Sequence, residues 1–110
     1  MLLMPAIFWF VPGSLKHVQV PILVRMGELD QTTPPSHAAS VLGDLASHTL
    51  VEAAVIPGAG HFSIMSKFPK EMTRLDFPPS QDPPGFDREA IQQSLFAEIT
   101  SFFRRNLCGT

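Results

Sequence analysis

The chain opens on an unbroken apolar stretch from Met1 to Pro12. That stretch falls short of the about 20 residues a bilayer-spanning helix needs. A secretory leader would need a basic region before the apolar stretch and a small-residue cleavage site after it, and nothing basic precedes Lys16. The stretch therefore reads as a buried strand with Pro5 in or near it. A chain that begins inside a core element reads as the later part of a longer domain. Pro21 to Met26, closed by Gly27, is a short apolar run of the kind buried on both faces in parallel sheets.

A loop follows from Gly27 to Pro35. Ser36, after Pro34 and Pro35, is the expected N-cap of a helix whose stripe is Ala39, Val41, Leu42, Leu45 and Ala46, ending near Ser47 and His48. Leu50 to Ile56 is a second strand, rich in apolar and β-branched residues and stopped by Pro57-Gly58. Strand, helix and strand in this order form a βαβ unit, whose crossover makes the two strands parallel.

No periodic segment of useful length occurs between Gly58 and Phe86. The expectation is a long loop with one helical turn around Lys70 to Leu75, its Phe62, Ile64, Met65, Phe68 and Phe77 packing over a pocket. Asp87 should cap a last helix over 87–107, in which Ile91, Leu95, Phe96, Ile99, Phe102, Phe103 and Leu107 recur at helical spacing. Such a wide apolar stripe must dock on something. The predicted fold class is α/β: one domain over 1–110, with a partial parallel sheet of about three strands and flanking helices.

Composition narrows the function classes. Hydrophobic residues make up 45% and charged residues 16%, against about 25% charged in an average soluble domain, so more of the surface should be covered than in a typical monomer. The net charge is −2, with no basic cluster beyond Arg104-Arg105, which argues against electrostatic nucleic-acid binding. Cys108 is the single cysteine and can form neither an internal disulfide nor a CxxC metal site. The four histidines lack HxxxH or HxH spacing, so no metal is expected.

Candidate chemistry sits on the loops leaving the carboxyl ends of the two parallel strands, where open α/β sheets place functional residues. One loop carries Gly27-Glu28-Leu29-Asp30 and the other Gly58-Ala59-Gly60-His61. Neighbouring strands lie about 4.8 Å apart, so Asp30 and His61 can meet. A carboxylate on one imidazole nitrogen fixes the tautomer and leaves the other nitrogen free as a general base. Glu28 is the alternative acid, read here as a solvated loop residue. His37 and His48 are read as surface residues at helix ends.

These segments resemble the C-terminal part of the α/β-hydrolase family. Pro21 to Asp30 followed by Thr33-Pro34-Pro35 is similar to the strand and loop that deliver the family's catalytic acid, and Ile56-Pro57-Gly58-Ala59-Gly60-His61-Phe62 to its catalytic-histidine loop. Pro83-Pro84-Gly85-Phe86-Asp87-Arg88 and the Phe102-Phe103 pair resemble features of the predicted dienelactone hydrolases. The resemblance runs from about Leu2 to Leu107. It implies Asp30 as catalytic acid, His61 as catalytic base and no cofactor. The family's nucleophile stands in a G-x-S-x-G elbow that precedes the acid and histidine, and no such motif occurs here. Gly13-Ser14 lacks the second glycine, and Ser63 and Ser66 follow His61.

The expectation is thus the C-terminal segment of a serine hydrolase, an esterase or lactonase, inactive alone. The alternatives are a non-catalytic partner-binding module and a truncated gene product. Phe62, Met65 and Phe68 are candidate pocket wall. The expected partner is a small-molecule ester or lactone, with no nucleic acid and no membrane. Self-association is expected through the exposed edge of the strand near Leu3 to Phe10. A cytoplasmic location fits the chain better than secretion.

Overall fold

The computed structural model describes residues 1–108. Three strands, β1 (Leu2–Leu3), β2 (Ile22–Gly27) and β3 (Val51–Ile56), form a parallel sheet in the order β1-β2-β3. Helix α1 (Pro35–Ala46) connects β2 to β3, and α2 (Arg88–Leu107) follows the long loop. The α/β class, the βαβ unit and the strand number agree with the sequence pattern.

Successive residues of β2 face opposite sides of the sheet, and the two faces hold different partners. Ile22, Val24 and Met26 pack with Ala38, Val41, Leu42 and Leu45 of α1 and with Ile7. The buried α1 positions thus follow the i, i+3, i+4, i+7 rule from Ala38, whereas Ala39 and Ala46 of the expected stripe are exposed. On the other face Arg25 Nε donates to Glu98 Oε2 at 2.8 Å, and Arg105 binds both Glu52 oxygens at 2.9 Å. These pairs, with buried Leu95 and Phe102, seat α2 opposite α1. Arg25 is accommodated in a central strand because its guanidinium also donates to the carbonyls of Val24 and Glu52.

Helix α2 docks through one side only: Phe96, Phe103 and Leu107 of its stripe are exposed. Its start agrees with expectation, since Asp87 caps it by accepting from the amides of Glu89 and Ala90.

Three expectations need correction. The N-terminal strand is only two residues long. Pro5 supplies no amide to a ladder, Met4 takes a left-handed φ of 49°, and the chain then runs through turns that leave Phe8, Trp9, Phe10 and Val11 exposed. The edge expected over Leu3 to Phe10 therefore does not exist as a strand, and the long free edge belongs to β3. Ser36 is not the N-cap of α1: the helix begins at Pro35, with Pro34 at the cap and no side-chain hydrogen bond there. A proline at the first helical position has its φ preset and no amide left unpaired, so Ser36 falls inside the first turn. The long loop holds two short 3₁₀ turns, Lys70–Met72 and Pro78–Ser80, the second unforeseen.

Candidate functional site

The loops after β2 and β3 leave the sheet side by side and are bonded to each other. The amide of Glu28 donates to the Ile56 carbonyl at 3.1 Å, and that of Leu29 to the Ala59 carbonyl at 2.9 Å. Glu28 returns a side-chain contact, its Oε2 accepting from the Gly58 amide at 2.7 Å. Glu28 is exposed, as expected of a solvated loop residue, and its carboxylate braces the turn that carries His61. Gly58 makes that turn with a φ of 72°, a conformation glycine adopts without a Cβ penalty.

Asp30 and His61 meet. Asp30 Oδ2 accepts from His61 Nδ1 at 2.8 Å, with the carboxylate side chain fully buried and the imidazole one-quarter exposed. The other carboxylate oxygen, Oδ1, accepts the amides of Thr32 at 2.9 Å and Thr33 at 2.7 Å, forming an Asx turn. Thr33 Oγ1 donates to Oδ2 at 2.8 Å and lies 3.1 Å from His61 Nδ1. Because the hydroxyl proton goes to Asp30, the Nδ1 proton is shared between Asp30 and the Thr33 oxygen. Nδ1 is therefore the donor to Asp30, and Nε2 takes no part in these contacts.

Burial is the largest influence on the Asp30 carboxyl and pushes its pKa up. The Thr33 amide, the His61 hydrogen bond, the Thr33 hydroxyl and the imidazole charge outweigh it, holding the group below its ordinary 3.8. Asp30 is therefore a buried, permanently charged anchor at neutral pH.

Among the candidate pocket residues, Phe62 meets the His61 ring edge to face at 5.0 Å. Phe68 stacks edge-on with Phe77 and lines a cavity of about 250 Å³ together with Lys67, Thr73, Asp82 and Phe86. Met65 is exposed and does not line that cavity, and neither does His61. The three residues do not form one wall.

None of the three serines singled out by the sequence pairs with His61. Ser14 donates to the Val11 carbonyl in the N-terminal turns. Ser66 is exposed, and Ser63 is fully buried with its hydroxyl held between the Gly60 amide and Asp82. His37 and His48 are exposed, as expected. Among the described residues no group of three or more His, Cys, Asp or Glu side chains is placed to hold a metal ion. No helix among them is long and apolar enough to cross a membrane.

Sequence reasoning missed Thr33 as a member of the site. An Asp followed three residues on by Thr is the pattern of an Asx turn closed by a hydroxyl, so the signal was present. It also missed the buried Arg88 at the start of α2. Compared with known proteins, the chain matches no family model, no curated protein and no solved structure.

Proposed function

We propose that the chain supplies the acid and base of a serine-hydrolase triad of the α/β-hydrolase type, acting on esters or lactones. The observation that carries this reading is the 2.8 Å contact between Asp30 Oδ2 and His61 Nδ1 at the carboxyl ends of adjacent parallel strands, in which Nε2 takes no part. In such a triad the buried carboxylate orients the ring and stabilises the imidazolium, while Nε2 takes the proton from a serine hydroxyl and returns it to the leaving group. The side-chain hydrogen bonds of His61 go to Asp30 and Thr33 and to no serine, so this reading takes the nucleophile and the oxyanion donors to be supplied from elsewhere. The chain alone has a base and its orienter but no acyl-enzyme route.

The test is labelling by a fluorophosphonate together with p-nitrophenyl acetate hydrolysis. The wild-type chain should not be labelled. Its slow ester hydrolysis should fall in His61→Ala, leaving the smaller rate contributed by other exposed groups such as His37, His48 and Cys108. Labelling of a serine that disappears in His61→Ala would place the nucleophile within the chain. Hydrolysis indifferent to His61→Ala would remove the role given to the histidine.

A second reading, a non-catalytic module that binds a partner, is favoured by the free β3 edge. Ala53, Ala54 and Val55 are exposed there, and unpaired strand edges recruit further strands. On this reading the chain self-associates, and Val55→Lys restores a monomer in light scattering. A wild-type monomer at tens of micromolar would sink it.

A further inference from the structure

We propose that Ser63, Asp82 and Arg88 are positioning residues for His61, a buried polar chain that couples the first turn of α2 to the loop presenting the imidazole. Arg88 opens α2, and its guanidinium is almost wholly buried. It grips Asp82 with two bonds, Nε to Oδ2 at 2.7 Å and a terminal nitrogen to Oδ1 at 3.1 Å. The planar fork matches a carboxylate in this way, and a buried pair so satisfied holds its geometry tightly. Asp82 Oδ1 accepts in turn from Ser63 Oγ at 2.7 Å, and Ser63 Oγ accepts from the Gly60 amide at 2.9 Å. Gly60 is the residue before His61.

Three features make this more than local packing. The remaining Arg88 donors take the carbonyls of Pro79 at 3.0 Å, Gln81 at 3.2 Å and Ser66 at 3.5 Å, so one side chain collects both ends of the long loop. A Cβ at Gly60 would stand 3.1 Å from the Pro83 ring, so the segment after Asp82 closes directly over the backbone that carries the histidine. Among the described residues no buried side-chain polar atom lacks a partner, and in a network this closed the loss of one member strands another. Asp30 fixes where the imidazole points, and the Ser63 chain fixes where its backbone stands.

This role concerns the Asp30–His61 geometry and holds whether or not the hydrolase reading does, because its test needs no turnover. The full chain is studied by NMR as Ser63→Ala and Asp82→Asn, both close in shape to the wild type. Leu45→Ala, on the far face of the sheet, serves as a control for general destabilisation. Expected in Ser63→Ala and Asp82→Asn are an exchange-broadened or lost low-field Nδ1 proton of His61 and an Asp30 titration moved up toward its ordinary value. Gly60 amide exchange should also be about tenfold faster relative to the amides of β2. Leu45→Ala should lower stability and leave all three signatures in place. If Asp82→Asn does not fold, Ser63→Ala decides alone. Ser63→Ala and Asp82→Asn proteins that keep the three signatures, or a control that loses them equally, would overturn the proposal.

Discussion

Replacing Gly27 by alanine tests how the two site loops are held together. Gly27 ends β2, and an added Cβ would stand 2.6 Å from the Ala59 carbonyl oxygen, 3.1 Å from its carbon and 3.2 Å from the Gly60 oxygen. The closest of these is about 0.8 Å short of the 3.4 Å where ordinary contact begins, and the obstacle is backbone, so no rotamer change relieves it. The His61 loop must move away from β2, which also breaks the Leu29 amide to Ala59 carbonyl bond. Overpacking of this kind costs about 1–3 kcal/mol, and the lost hydrogen bond adds about 1 kcal/mol. With a urea slope of about 1–3 kcal/mol/M, the unfolding midpoint should fall by about 0.7 M or more. Far-UV circular dichroism is the suitable probe, because Trp9 is exposed and reports little on the core. The amide resonances of Leu29 and His61 should move more than those of α1. An unchanged midpoint with unmoved Leu29 and His61 resonances would refute the claim that close backbone approach at Gly27 assembles the site.

Further outcomes follow from the same geometry. Asp30 has a folded pKa below its unfolded one, so its contribution to stability is complete above the unfolded value of about 3.9 and is lost as pH falls through the folded value. Asp30→Asn should flatten that acid limb in urea titrations at a series of pH values, and an unchanged limb counts against the hydrogen-bonded carboxylate. Asp87→Ala removes two capping bonds at the start of α2 and should cost about 1 kcal/mol in the same assay. Leu45→Ala, at a site almost without solvent exposure beneath the sheet, should cost about 2–5 kcal/mol; a loss below about 1 kcal/mol would mean that α1 is not firmly packed. Thr33→Val keeps the volume but removes the hydroxyl that donates to Asp30, and a carboxyl titration shifted up would register that loss.

The alternation of apolar runs and one helical stripe was enough to specify a parallel βαβ unit, and from it the meeting of Asp30 and His61. Parallel strands send their following loops off the same edge, so two residues far apart in the chain become neighbours by topology alone. Asp87 was also legible as a cap, since that signal is local. What the pattern could not convey was which apolar segment is covered. Met1 to Pro12 has the composition of a buried strand, yet pairing ends at Leu3, where Met4 turns and Pro5 offers no amide. The stripe of α2 is wide in sequence, but only the side that meets β2 and β3 is buried, and Phe96 and Phe103 remain outside. The role of Arg88 was likewise invisible in one dimension. Its partners at Ser66, Pro79, Gln81 and Asp82 belong to an irregular loop with no period to read. Only the folded chain brings those carbonyls and the Asp82 carboxylate around one guanidinium, because satisfying buried polar groups depends on three-dimensional proximity and leaves no spacing rule in the sequence.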